Sequence, residues 1–232
     1  MELYIIRHGQ SANNALESPS DRVQDPHITD LGLQQAELLA SYVKERAGLK
    51  MADSPWSDLG ITRIISSAMC RALQTAQYLS RSLGLPVEVW VDIHEWGGVY
   101  LDHGEAGGVV GYPGKSRSDI LREFPGTILP DGMTEQGWWN GTREEKSACQ
   151  GRAIKVAARL WALAESNQHI ALISHGDFID SLLKALFNQL PGDGLYYRHN
   201  NTGITRLDLT GDGHLTMRYM NRIEHLPPEL HS

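Results

Sequence analysis

Two kinds of apolar run alternate along this chain. Leu3 to Ile6 and His169 to Ser174 are short and lack polar alternation, the pattern of a strand covered on both faces in a parallel sheet. Ile61 to Ser66 and Val87 to Ile93 read as further strands. Between them lie longer stretches with helical periodicity. After His27, the residues Leu31, Leu38, Leu39 and Tyr42 recur on one helical face. Thr29 or Asp30 can cap the start of that helix and Gly48 suits its end. A second helix is predicted from about Ala68 to a stop at Gly84 and Pro86, and a third within Thr142 to Ser166, where Thr142 and Glu145 have capping-box spacing. A fourth runs from Asp177, its cap, to Phe187. Thr202 to Met220 reads as two strands about a Gly-Asp-Gly turn, and His225 to Ser232 as a surface tail. Strands alternating with helices predict an α/β fold: a three-layer sandwich with a mainly parallel sheet and helices on both faces.

One segment breaks the rhythm. Trp96 to Gly141 holds eleven of the 23 glycines, so much of it is expected to be loop, with a short helix over Ser116 to Phe124. The 232 residues are predicted to form one domain, with residues 96–141 inserted as a cap over the strand ends. A net charge of −7 argues against a nucleic-acid partner, which needs basic surface. The apolar run Leu3 to Ile6 is too short for a membrane span or signal peptide. The two cysteines, Cys70 and Cys149, have no zinc-ligand spacing and form no disulfide framework, so a cytoplasmic protein with free thiols is expected.

Candidate chemistry enters at the strand ends. Two buried strands finish in His-Gly: Arg7-His8-Gly9 after the first and His175-Gly176 after Ser174. In an open α/β sheet, ligands bind beyond the carboxyl ends of the strands. Both histidines would project from that edge, with Gly9 and Gly176 letting the backbone turn sharply and approach a ligand. Arg7 precedes the first histidine, and Arg71 starts the helix after another strand. Guanidinium binds phosphate through a forked pair of charge-assisted hydrogen bonds, and helix N-termini add partial positive charge. Two imidazoles and two guanidiniums converging there make a phosphate pocket. A neutral imidazole can attack a phosphoryl group so held, giving a phosphohistidine, and one tuned carboxyl group can serve both proton transfers. Glu95 is the candidate, with Asp92, Asp102 and Glu105 as rivals. Asn14 is expected either to bind phosphate or to cap a turn, and Gln10 to face the pocket. Lys115, Arg117 and Arg122 are weighed as contacts for a second anionic group against a solvated helix face, which is favoured. Trp96, Trp138 and Trp139 are expected to form a core beneath the insertion. His94 and His103 fit no zinc pattern.

Five blocks in order resemble the histidine phosphatase superfamily, the phosphoglycerate-mutase-like group: Arg7-His8-Gly9 with Gln10, Ser11 and Asn14; "DPHITDLGLQQA"; "SSAMCRALQTA"; "ISHGDFI"; and "NNTGITRLDL" with Asn201. "IHE" resembles the block holding the catalytic acid. Together they span Leu3 to about Leu209, and five ordered blocks are far more specific than Arg-His-Gly alone. The resemblance implies His8 as phosphorylated nucleophile, Arg7, Arg71 and His175 as phosphoryl ligands, Glu95 as proton donor, and no metal or other cofactor. It implies hydrolysis of phosphate monoesters on a phosphorylated small molecule or a phosphoprotein. The alternatives are a phosphoglycerate-type mutase and a phosphate-binding protein without turnover. Ala68 stands where the family has proline, and residues 96–141 do not match the mutase branch, which leaves the substrate open.

Overall fold

The computed structural model describes residues 1–47 and 59–232. In chain order the elements are β1 (Glu2–Arg7), α1 (Asp30–Arg46), β2 (Arg63–Ser66), α2 (Cys70–Leu83), β3 (Val87–Val89), the hairpin strands β4 (Tyr100–Asp102) and β5 (Val109–Gly111) with the one-turn α3 (Gly104–Gly107) between them, α4 (Arg117–Glu123), α5 (Lys146–Trp161), β6 (His169–Ser174), α6 (Gly176–Leu186), β7 (Ile204–Leu209) and β8 (Leu215–Arg222). Six strands form one sheet in the order β3-β2-β6-β1-β7-β8. The first four are parallel, and β7 and β8 run antiparallel to their neighbours.

Alternation along the strands sorts side chains between two cores. Tyr4, Ile6, Ile64, Ala171 and Ile173 face one side and pack with Leu39 and Val43 of α1 and Leu73 and Leu79 of α2. Leu3, Ile5, Ile65, Ile170 and Leu172 face the other and pack with Val156 and Leu160 of α5 and Ile179 and Leu182 of α6. This is the expected three-layer α/β sandwich with a mainly parallel sheet. Residues 96–141 lie against the first core through Val99, Ile120, Phe124, Leu129, Met133 and Trp138. Among the described residues no helix is long and apolar enough to cross a membrane.

Several expected details differ. The buried stripe of α1 is Gly32, Gln35, Ala36, Leu39, Ala40 and Val43. Leu31, Leu38 and Tyr42 sit half-buried at its margin, because small residues let the helix lie close on the sheet. Gly48, expected to end that helix, lies outside the described residues. The strand expected over Val87 to Ile93 stops at Val89. The Trp90 amide bonds back to Ser66 O, and Val91–Ile93 coils into a 3-10 turn. Thr142 and Glu145 form no capping box. The third helix starts at Lys146 with Glu145 as an N-cap lacking a side-chain bond. Neighbouring Glu144 is drawn instead to Arg152, at 2.7 and 3.0 Å. The fourth helix starts at Gly176 with His175 at its N-cap, so Asp177 lies inside the first turn. Nor do the last residues form a loose tail: His225 and Leu226 are buried, and Ser232 O accepts the Asn201 amide at 2.9 Å.

Candidate active site

Strand register brings the two histidines together. Arg7 lies opposite Ser174 in the parallel β1–β6 pair, so His8 and His175 leave the sheet side by side, with ring centroids 5.0 Å apart and planes at 57°. The main chain is tied down there: the His8 amide donates to Ser174 O at 3.0 Å, and Asn201 Nδ2 donates to His8 O at 2.7 Å.

His8 is 2% exposed. Its Nδ1 lies 2.7 Å from Gly9 O. A carbonyl only accepts, so Nδ1 carries the proton and the lone pair of the neutral ring is on Nε2. Arg71 Nε approaches that nitrogen at 3.1 Å. Burial, then the guanidiniums of Arg71 and Arg7, hold the imidazole well below its ordinary pKa, so it is neutral. His175 is fully buried, with Nε2 2.8 Å from Ser67 Oγ and Nδ1 without a partner among the described residues. Burial, and next Arg71, keep it neutral too.

Arg71 is 8% exposed and stands in the first turn of α2. Its Nη1 lies 3.8 Å from Asp25. The Asp25 carboxylate also accepts the Cys70 amide at 3.0 and 3.2 Å. The N-cap residue Met69 has no side-chain acceptor, so Asp25, 45 residues upstream in sequence, satisfies that helix end. Arg7 Nη1 donates to His199 O at 2.7 Å, while its Nε is buried and has no partner among the described residues. Glu95 leaves the 3-10 turn after β3. Its Oε1 accepts the Trp96 amide at 2.9 Å and the Phe178 amide of the first turn of α6 at 3.0 Å. Burial, then Asp177, push its carboxyl pKa up, against the pull of Arg71 and the two amides.

These groups open on a cleft of about 670 Å³ lined by Arg7, His8, Asn14, Arg71 and Glu95. His175 is fully buried beside His8 and does not line it. Asn14 serves first as a cap: its Oδ1 accepts Ser11 N at 3.2 Å and Ser11 Oγ at 3.0 Å. Gly176 lines the cleft, with φ on the ordinary side. Gly9 and Gln10 do not line it. A Cβ on Gly9 would sit 2.7 Å from Gly32 O, so this glycine is needed for close packing on α1 rather than on a ligand. Gln10 Oε1 accepts from Thr29 Oγ1 at 2.8 Å, which turns the side chain toward the start of α1. Asp92, Asp102 and Glu105 stay outside the cleft as well. Lys115 pairs with Glu123 and Arg122 with Asp119, and Arg117 donates to Pro130 O at 3.0 Å. Trp138 and Trp139 pack against His94, Trp139 edge-on and Trp138 tilted, and edge-on to each other. Trp96 lines the cleft instead. Among the described residues no group of three or more His, Cys, Asp or Glu could hold a metal ion.

Sequence reasoning missed Arg22, Tyr100, Arg143, Asp177, Tyr196 and Arg198, all on the cleft wall. It also missed Asp25 as the partner of Arg71. Tyr196 and Arg198 come shortly before the closing "NNTG" block and Asp25 opens the "DPH" block, so position relative to those blocks was the available signal.

The profile of the histidine phosphatase superfamily (branch 1) matches residues 3–222. The chain belongs to that superfamily. Relatives named for mutase and for phosphatase activity both occur. The protein named "Probable phosphoglycerate mutase GpmB" from Yersinia pestis (strain Pestoides F) is 24% identical over 210 residues, covering 90% of this chain and 85% of that protein. The crystal structure of a phosphoserine phosphatase from Entamoeba histolytica in complex with 3-phosphoglyceric acid superposes with a TM-score of 0.60 at 24% identity, covering 97% of this chain and 99% of that one. A mycobacterial glucosyl-3-phosphoglycerate phosphatase gives 0.55 at 21% identity over 95% and 98%. These likenesses place the fold, while the superfamily match covers nearly the whole chain.

Proposed function

We propose that this chain hydrolyses phosphate monoesters through a phosphohistidine on His8, as a metal-independent phosphomonoesterase of acid-phosphatase type. One observation carries the reading: a neutral imidazole, with Nδ1 fixed by a backbone carbonyl, presents its Nε2 lone pair beside a guanidinium at a strand end. The phosphoryl group would sit between Arg71, the free Nε of Arg7 and, when Ser67 donates to His175 Nε2, the Nδ1–H of His175. On binding, its oxygens would take over the donor that Arg71 now aims at His8. Nε2 then attacks phosphorus, the P–O ester bond breaks, and the departing alkoxide takes the proton from Glu95. Water gives a proton back to Glu95 and attacks the phosphohistidine, releasing phosphate and neutral His8. Asn14 stands at the rim, where its amide can reach a phosphoryl oxygen.

Hydrolysis is favoured over mutase turnover because the mouth is wet: Arg22, Arg143, Tyr196 and Arg198 on its wall are exposed. The cleft volume suits a phosphorylated small molecule better than a protein. We read the whole chain as one domain, with residues 96–141 shaping the mouth. The test is p-nitrophenyl phosphate hydrolysis from mildly acidic to neutral pH in EDTA, for the native protein and His8→Ala. Turnover that survives EDTA and is lost with His8 is expected, while turnover retained in His8→Ala sinks the mechanism. Strict dependence on 2,3-bisphosphoglycerate would transfer the assignment to a mutase, and phosphate binding without turnover to a binding protein.

A further inference from the structure

Arg7 and Arg71 account for one phosphoryl group, yet the same cleft carries three more arginines: Arg22, Arg143 and Arg198. Among the described residues only Glu95 and Asp177 oppose them on this wall, and Asp177 already accepts the Tyr196 hydroxyl at 3.0 Å. Among the described residues, no carboxylate pairs with any of the three. In a chain of net charge −7, unpaired arginines gathered in one cleft are the reverse of the average surface. The crowding is felt electrostatically: Arg22 disfavours the charge on Arg71, and Arg198 that on Arg7.

Arg143 is also held in place. Its guanidinium carbon lies 4.8 Å from the Trp96 ring centroid and 5.3 Å from that of Tyr100, so stacking restrains it while its N–H edge stays free for a forked contact. Moreover, the cleft does not end there. A second chamber of about 350 Å³ shares Arg22, Tyr100 and Arg143 with it, and continues past them to Leu101, Asp102 and His103. The Asp102 carboxylate there accepts the Gly104 amide at 3.0 Å, so the anion is placed at the two arginines and not deeper in this chamber. A substrate with phosphorus at His8 would thus pass its alcohol portion between Arg22 and Arg143.

Resting on the phosphomonoesterase reading, we propose that the favoured substrates are phosphomonoesters whose alcohol part bears a second oxyanion, carboxylate or phosphate, held by Arg22 and Arg143 with Arg198 at the rim. The two anion sources share one chemistry, forked recognition by guanidinium.

The test uses pairs that differ only in that group. kcat/KM is measured for 3-phosphoglycerate against glycerol 1-phosphate, and for fructose 1,6-bisphosphate against fructose 6-phosphate. The native protein is expected to favour the doubly anionic member of at least one pair by about tenfold or more, as a charge-assisted hydrogen bond at a partly solvated site allows. The pair showing the preference identifies carboxylate or phosphate. Arg143→Met and Arg22→Met, which keep the aliphatic stem, should bring that ratio close to one. Arg143→Lys should restore part of it. Equal kcat/KM within both pairs, or a preference that survives both methionine variants, overturns the inference. If the native protein turns over nothing, the hydrolase reading has failed separately. Dissociation constants for the same four ligands, followed by Trp fluorescence with Trp96 in the cleft, then decide: an anion preference lost in Arg143→Met supports the subsite, and equal affinities overturn it.

Discussion

Glu95→Gln separates proton transfer from everything else this residue does. The substitution is nearly isosteric, and glutamine keeps a carbonyl oxygen for the Trp96 and Phe178 amides that Glu95 now accepts. What it removes is the transferable proton and the negative charge at the start of α6. The charge is worth on the order of 0.3–1 kcal/mol against the helix N-terminus. Because burial and Asp177 already push this carboxyl up, part of that benefit is cancelled in the native protein, and the thermal midpoint should move by only a few degrees. Catalysis should respond far more. A positioned general acid supplies roughly 10²–10⁴-fold, which is about 3–5 kcal/mol of barrier. That loss should appear in kcat/KM for an alkyl phosphate, whose alkoxide cannot leave unprotonated. For p-nitrophenyl phosphate, whose phenolate leaves without help, the formation of phosphohistidine should slow by less than about tenfold. Single-turnover and steady-state rates on both substrates, with melting curves alongside, provide the assay. Burial and Asp177 raise the carboxyl pKa, and the alkyl rate should fall as pH rises through it. Neutral His8, held below its ordinary value, should remain a nucleophile across that range. Equal slowing of both substrates would refute the assignment, since a group that merely shapes the pocket does not distinguish leaving groups.

Two further outcomes follow from the packing around the site. Gly32→Ala should cost about 2 kcal/mol or more through overpacking, because its Cβ would meet Gln10 O at 2.2 Å and Ile28 Cβ at 2.9 Å. It should also lower kcat by displacing the loop after His8, and an unchanged urea midpoint would contradict that packing. His94 is buried and held at about 3, from an ordinary 6.5, by burial and then Arg152. Although it lies 3.8 Å from Glu144, both oxygens of that carboxylate are engaged by Arg152, through Nε and Nη2, so the imidazole stays neutral. A folded-state pKa below the unfolded one gives stability that is complete above pH 6.5 and lost as pH falls toward 3. On the order of 3–5 kcal/mol should disappear across that window, and His94→Phe should flatten the slope of urea midpoint against pH. A midpoint independent of pH in the native protein would refute this.

Pattern along the chain was enough to place the layering and to put a histidine at the end of each of two buried strands. Leu3 to Ile6 and His169 to Ser174 have no polar face, so they had to lie inside a sheet covered on both sides. A strand buried in this way must deliver whatever follows it, His8 or His175, to the sheet edge. Glu95 was legible as a strand-end residue through its place after β3, although that strand ends at Val89: its parallel partner β2 ends at Ser66, opposite Val89, a limit that periodicity does not carry. Tertiary structure decided which residues meet. Register alone placed Arg7 opposite Ser174 and so set one imidazole against the other. Gly9 and Gly32 are indispensable because two backbones touch, a fact about β1 and α1 together rather than about either one. Gln10 and Asn14 were equally polar on paper, yet one turns toward Thr29 and the other toward the cleft rim. Asp25, Arg22, Arg143 and Arg198 could not be singled out, since an arginine or aspartate in a polar loop looks the same whether it meets water or a cleft. Local pattern records how a residue's own segment is buried. The partners that give a charge its function come from distant segments, and only the folded chain brings those together.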